Sequence, residues 1–248
     1  SPRVEYYFQA SRNNRIIPWE NGTPLASIKT INMAEEQKRG NRKIFAEETV
    51  IKMAKTLAQN KQILLFINRK GAAGALLCQD CSTVIHCLTC SGIPAFYPQN
   101  ILRCHRCKRE TAAPSFCNIC KGSRLKPFGI ATQGMEKEIK QIFGKASVIR
   151  IEAFSSGELD ENRLEETDII IATQIIDKPL TLPRLELTVC VSIDQMLHFP
   201  NFRAEERALH ILTGLRSITH GEIFLQTFLP DHRLFQALIQ NNVAKFYE

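Results

Sequence analysis

The cysteines constrain this chain more than any other feature. Eight of its nine form four Cys-x-x-Cys units, Cys78/Cys81, Cys87/Cys90, Cys104/Cys107 and Cys117/Cys120, all within 43 residues. A Cys-x-x-Cys unit bends the backbone into a knuckle that aims two sulfurs at one point. Two knuckles build a tetrahedral thiolate site for zinc, with bonds of about 2.3 Å, so four knuckles specify two zinc ions. Disulfides are a poor reading, because cysteines two residues apart bridge only with strain and nothing in the sequence marks an oxidising compartment. A thioredoxin-like redox motif needs a single Cys-x-x-Cys at a helix start. An iron–sulfur cluster also takes four thiolates, and spacing does not separate it from zinc.

The spacers between units are 5, 13 and 9 residues. Joining the first two units across five residues is cramped, and a crossed pairing interlaces two loops. The nested pairing is simplest. Cys87, Cys90, Cys104 and Cys107 would close a hairpin-like ribbon as one site, with Cys78, Cys81, Cys117 and Cys120 clamping its base as the other. His86 and His105 stand beside the ligands, where outer-sphere imidazoles are the expected role because sulfur already suffices.

The whole chain has 248 residues, with 32 Lys+Arg against 25 Asp+Glu and 44% hydrophobic residues. That is globular composition, with a modest positive excess that suits an anionic partner without naming one. Residues 78–126 hold seven Lys/Arg and two acids. Eight thiolates and two dications reduce that module to a net charge of about +1. Its cations gather after Leu102, as Arg103, Arg106, Lys108 and Arg109. They suit phosphate contact and equally suit compensation of the thiolate charge.

Outside the cysteines the pattern is that of an α/β protein. Val50, Ile51, Ala54, Leu57 and Ala58 have helical spacing, and helices are also expected around Met135–Phe143, over Arg203–Leu212 and over Asp231–Val243, the last with Asp231 as N-cap. Apolar runs at 62–67, 147–151, 168–172, 187–193 and 222–228 read as strands. Strands alternating with helices predict a mainly parallel sheet, interrupted after its first strand by a small zinc-stapled insertion. The expected units are a lead-in over 1–45, an α/β domain over 46–77 and 127–248, and a zinc module over 78–126. Cys190, in an apolar strand, is expected to be a small buried residue.

Several classes are excluded by what is missing. No apolar run approaches the ~18 residues of a membrane span. No secretory leader opens the chain. There is no Gly-x-x-x-x-Gly-Lys-Ser/Thr phosphate loop, no His-Glu-x-x-His and no acidic box for Mg2+. With eight cysteines in structural sites, no open coordination position remains for catalysis.

The order of segments resembles the primosomal replication-restart helicases, the PriA family (primosomal protein N′). Lys38-Arg-Gly-Asn-Arg42, Leu64-Leu-Phe-Ile-Asn-Arg-Lys-Gly71 and Ala75-Leu-Leu-Cys78 look like the start of that family's second motor lobe. The knuckles follow with similar spacers. Ala172-Thr-Gln-Ile-Ile-Asp-Lys178, Pro200-Asn-Phe-Arg-Ala-Glu-Glu-Arg207 and Gly221-Glu-Ile-Phe-Leu-Gln-Thr227 resemble its later motifs, and Ser1-Pro-Arg-Val-Glu-Tyr-Tyr7 resembles the end of its first lobe. The resemblance implies a RecA-like second helicase lobe with a double-zinc module in nested pairing. The family is an ATP-dependent 3′-5′ DNA helicase that reloads replication at stalled forks. The expected partners are therefore forked or single-stranded DNA and primosome proteins, in the cytoplasm, without membrane or obligate homo-oligomer. Arg69, Lys70, Arg103, Arg106, Lys108 and Arg109 would meet the DNA backbone, and Phe96 and Tyr97 lie where they could stack on bases or pack a small core.

Three departures fall on the face that would close over ATP. The family's Lys-Gly-His-Asp-Phe-Pro is Lys178-Pro-Leu-Thr-Leu-Pro183, its arginine-rich late motif is shortened to Thr213-Gly-Leu-Arg-Ser217, and Ser192 replaces a usual Asp. Arg216 is the remaining candidate for nucleotide phosphate. ATP and Mg2+ would bind only with a first lobe present, and this chain alone should not hydrolyse ATP. The alternative reading is a non-enzymatic zinc scaffold for replication proteins, its motor function lost. An unrelated zinc-ribbon adaptor fits the ordered motifs less well.

Overall fold

The computed structural model describes residues 25–41, 43–67, 75–81, 83–92, 94–97, 99–104, 107–128, 132–151, 161–172, 182–191, 193–197 and 203–247. The similarity segments at 1–7, 173–178 and 200–202 lie outside the described residues, as does Ser192.

The apolar run at 62–67 becomes strand β2 (Gln62–Ile67), buried at every position. Its side chains alternate between two layers. Ile63, Leu65 and Ile67 enter one core and Leu64 and Phe66 the other. A strand buried on both faces belongs in the middle of a parallel sheet. β2 lies between β9 (Ile169–Ala172) and β10 (Leu185–Val191). The full order is β1 (Ser27–Asn32), β11 (Glu222–Thr227), β10, β2, β9 and β8 (Val148–Ile151), every pair parallel.

Helices cover both faces. On one lie α1 (Met33–Lys38), α2 (Glu47–Ala58) and α3 (Thr132–Ile142), which contribute Met33, Met53, Met135 and Ile139. On the other lie α4 (Glu161–Glu166), α5 (Asp194–Leu197), α6 (Ala204–Ile218), α7 (Arg233–Ile239) and α8 (Ala244–Tyr247). α6 shows how sequence spacing sets a face, because Ala204, Ala208, Leu209, Leu212 and Leu215 are its buried residues. Cys190 is fully buried in this second core. This α/β architecture with a separate cysteine module is that of a RecA-like lobe carrying a zinc-type insertion. No described helix is long and apolar enough to cross a membrane.

The structure corrects five local expectations. The stretch read as lead-in supplies the edge strand β1, in register from Ser27 beside Glu222 to Asn32 beside Thr227. It also supplies α1, capped by the Asn32 carboxamide, which accepts from the N–H groups of Ala34 and Glu35. Helix α6 runs on to Ile218, past Gly214, where open space surrounds the backbone. The strand expected at 187–193 begins earlier, at Leu185, and ends at Val191. The closing helix is two helices. Asn241 takes a left-handed φ of 53°, and its neighbour Asn242 donates to the Ala237 carbonyl at 2.8 Å, which ends α7. The cap of α7 is His232, whose Nδ1 accepts from the Leu234 N–H at 3.3 Å, and not Asp231.

The module is antiparallel throughout. β3 (Ala75–Cys78) pairs with β7 (Leu125–Phe128), so its two ends form one ribbon. Beyond them β4 (Ala95–Tyr97), β5 (Ile101–Arg103) and β6 (Glu110–Ala112) make a three-stranded sheet. Among the described residues its buried core is Leu76, Cys78, Ile85, Leu102 and Cys117. Five residues bury too little apolar surface to hold some fifty residues folded, which leaves the cysteine sites to do so.

Candidate metal centre

Each knuckle closes with one shared hydrogen bond. The N–H of its first cysteine donates to the carbonyl five residues on: Cys78 to Thr83 (2.9 Å), Cys87 to Gly92 (2.7 Å), Cys104 to Arg109 (2.8 Å) and Cys117 to Gly122 (2.8 Å). The residue after the second cysteine turns the chain back. Ser91, Lys108 and Lys121 hold left-handed φ values of 56°, 62° and 59° there. Such a turn frees nearby N–H groups for sulfur, and the Ile119 and Gly122 N–H groups lie 3.4 Å from the Cys117 and Cys120 Sγ atoms.

The knuckles meet in two tetrads. Cys78, Cys81, Cys117 and Cys120 have sulfurs within 4.8 Å of one another, and so do Cys87, Cys90, Cys104 and Cys107. This is the nested arrangement. Within the outer tetrad the Sγ atoms of Cys78 and Cys120 are 3.6 Å apart and those of Cys81 and Cys117 3.7 Å. Within the inner tetrad Cys87–Cys107 is 3.6 Å and Cys90–Cys104 is 3.4 Å. A disulfide needs about 2.05 Å. A tetrahedral ion with bonds of about 2.3 Å sets its sulfurs about 3.8 Å apart. Both tetrads could therefore hold a single metal ion. A multi-iron cluster would hold its cysteine sulfurs much further apart.

The surroundings favour thiolate at Cys81 and Cys87, whereas Cys78 is pushed up by burial and Cys90 and Cys120 by burial and the neighbouring sulfurs. The Thr83 hydroxyl, 3.2 Å from the Cys81 sulfur, draws that thiol down to about 6. The Thr89 N–H does the same for Cys87, also to about 6. Sequence reasoning missed Thr83, and missed Asp80 and Arg124 as well. The Arg124 guanidinium pairs with the Asp80 carboxylate, which also accepts from the Arg124 N–H at 3.2 Å. This pair staples the first knuckle to the fourth. Gly122 lies directly against it, since a Cβ there would sit 2.1 Å from Asp80 Oδ2. An acid inside the first knuckle and a base just past the last one were the available signal.

Of the basic residues proposed from sequence, Arg103, Lys108 and Arg109 are among the described residues. Arg103 pairs with Glu110 across β5 and β6 at 2.6 Å, and its guanidinium lies 5.1 Å from the Tyr97 ring centre. Arg109 donates to the Thr89 hydroxyl at 2.8 Å, tying the third knuckle to the second. Lys108 is exposed at the third knuckle's turn. Phe96 packs on the module core. Arg69, Lys70, Arg106 and His105 lie outside the described residues, and His86 Nδ1 is 3.0 Å from the Ser91 carbonyl. Arg216, the nucleotide candidate, is held by contacts within the lobe. Its Nε donates to the Ala26 carbonyl at 2.8 Å, and its Nη1 to the Leu238 carbonyl at 3.1 Å and to Asn241 Oδ1 at 3.2 Å.

One further ionisable group stands out in the lobe. Asp194 starts α5 at the end of β10 and is 4% exposed. Its carboxylate accepts from the Thr227 hydroxyl and from the Phe228 N–H at 2.9 Å, which joins the ends of β10 and β11. Burial lifts its acid to about 6 despite those bonds.

No protein-family profile matches the chain. Individual proteins do. The replication restart protein PriA of Bacillus subtilis is 30% identical over 274 aligned residues, covering 100% of this chain and 33% of that protein. The PriA of Synechocystis is 30% identical over 90% of this chain and 29% of its own length. The PriA of Haemophilus influenzae is 33% identical over 79% of this chain and 28% of its own length. The chain thus spans about a third of the length of the curated relatives it matches. The likeness runs through both the parallel-sheet lobe and the four knuckles, and on that ground the chain belongs to the replication restart protein PriA family.

Proposed function

We propose that this chain supplies the second motor lobe and a two-zinc module of a replication-restart 3′-5′ DNA helicase. The observation that carries this reading is the similarity of the whole of this chain to about a third of a replication restart protein, combined with two tetrads of single-ion geometry. Zinc fits the donor set, because four thiolates in a closed tetrahedron suit a structural d10 ion with no open position. The zinc ligands would be Cys78, Cys81, Cys117 and Cys120 for the outer ion and Cys87, Cys90, Cys104 and Cys107 for the inner. When bound, each ion supplies structural cross-linking and no reaction chemistry.

In this reading the lobe is half of a cleft motor. ATP and Mg2+ would be gripped mainly by a first lobe, and closure of the cleft would move single-stranded DNA along both. The DNA contacts would be to phosphate, from Arg69, Lys70, Arg106 and Lys108, with Arg103 and Arg109 less available because of their pairs with Glu110 and Thr89. Arg216 serves instead as a structural tie between the start of β1 and the end of α7. Work at forks would bring primosome proteins to the same surface, in the cytoplasm. The reading of a scaffold without motor function is not favoured, since the similarity extends through the whole lobe.

Fluorescence anisotropy with a forked DNA across a salt series tests the proposal. Binding is expected to weaken steeply with salt, as phosphate contacts release counterions. No binding at low salt would remove the DNA role. Elemental analysis of reduced protein is expected to find two zinc ions per chain. ATP turnover by the isolated chain is expected to be absent, and DNA-stimulated turnover would refute the division of labour.

A further inference from the structure

The two tetrads differ in how they meet solvent. Of the nine cysteines, all of them described, Cys120 is the one that is exposed. It lies on the fourth knuckle beside Phe116 and Ile119, which are 61% and 65% exposed. Its tetrad partners Cys78 and Cys117 are fully buried. The inner tetrad has no exposed member, and Arg109 bridges its two knuckles through Thr89. The Sγ atom of Cys78 waits 3.6 Å from that of Cys120.

We propose that the outer tetrad is an oxidation-sensitive clamp, in which hydrogen peroxide attacks at Cys120, a Cys78–Cys120 disulfide forms and the outer zinc is released while the inner zinc stays. This rests on the reading of the tetrads as zinc sites. The Cys120 thiolate displaces hydroxide from peroxide, and its sulfur becomes a sulfenic acid. The Cys78 thiolate then attacks that sulfur, an S–S bond forms and a second hydroxide leaves. Peroxide gains two electrons and two thiolates lose one each. The zinc is left with Cys81 and Cys117, two ligands where it needs four.

The location gives the step a structural effect. Cys78 ends β3, and the outer site fastens the β3–β7 ribbon to the fourth knuckle. Its loss loosens the base of the module, while the inner site keeps the second and third knuckles and the sheet of β4, β5 and β6 together. Zinc-bound protein therefore has a half-released state.

The test adds hydrogen peroxide to reduced protein already shown to hold two zinc ions, follows release with a zinc-binding dye and maps cysteines by differential alkylation and mass spectrometry. The expected result is a distinct fast phase of one equivalent with a Cys78–Cys120 disulfide, reversed by thiol and added zinc. The variant C120H, which keeps a tetrahedral ligand without the thiolate, is expected to hold both ions and lose the fast phase. Release of both ions at one rate, oxidation first at the inner cysteines or a fast phase surviving in C120H would overturn the proposal. If C120H fails to hold the outer ion, the peptide map of the native chain decides alone. Fewer than two zinc ions before peroxide would instead refute the metal reading itself.

Discussion

Gly122→Ala tests how the two outer knuckles are packed together. Among the described residues, Gly40 is the glycine with a positive φ, so the backbone at Gly122 suits alanine. At such a site the exchange would ordinarily stabilise by about 0.4–1 kcal/mol. Here the three nearest atoms to the added Cβ all belong to Asp80, at 2.1, 2.7 and 2.8 Å. The last is the Asp80 Cβ, which no rotamer change can move aside. Asp80 must shift, and its pair with Arg124 breaks. That pair is partly exposed, with side chains 49% and 25% accessible, so its charge contributes under about 1 kcal/mol. The bond from the Arg124 N–H adds about 1 kcal/mol, and overpacking adds about as much again. The expected cost is about 2 kcal/mol, or about a 30-fold loss of outer-site zinc affinity where folding and binding are coupled. Chelator competition measures it. Asp80→Gly removes all three clashing atoms, and in that background Gly122→Ala is expected to cost less than about 0.5 kcal/mol. An equal cost in both backgrounds, or an unchanged outer site in the single variant, would refute the argument.

Asp194→Asn is expected to remove a pH dependence. Burial raises the acid from 3.8 to about 6, so the folded state binds a proton more tightly than the unfolded state. The native stability from this group is present below pH 4 and is lost as pH rises through 6. Relative to Asp194→Asn, the native chain should lose on the order of 3 kcal/mol between those limits, read as the difference in urea midpoints. Arg216→Ala removes the guanidinium donor from the Ala26 carbonyl and one of two donors from the Leu238 carbonyl, which keeps the Asn241 N–H at 3.2 Å, and thermal unfolding should show about 1–2 kcal/mol of destabilisation. Lys121→Gly relieves a left-handed residue at φ 59° and is expected to tighten the outer zinc site by about 1 kcal/mol in the same chelator assay.

Much of this protein is readable along the chain because its signals are local. Four Cys-x-x-Cys units encode knuckles whatever surrounds them, since each closes on a carbonyl five residues away. β2 and β9 are legible as apolar runs, because strands covered on both faces need no polar positions. β1 was less legible. It is an edge strand with Ser27, Lys29 and neighbouring positions partly in water, so its pattern is weak, yet it pairs over its whole length with β11. The break between α7 and α8 was signalled only by Asn241-Asn242, a pair that tolerates a left-handed turn without requiring it.

Local sequence thus pointed to the nested pairing of the cysteines and the class of fold, and the quoted motifs carried the family likeness, all of which depend on neighbours close in the chain. Tertiary structure decided the rest. It set which strands lie side by side, with Ser27 joined to Glu222, and it brought Asp80 to Arg124 to lock the outer knuckles. It also made Arg216 a tie to Ala26 and buried Asp194 enough to move its acidity. Each of these depends on groups far apart in the chain meeting in a place of low water access, and no one-dimensional pattern carries the strength of a hydrogen bond or charge made there.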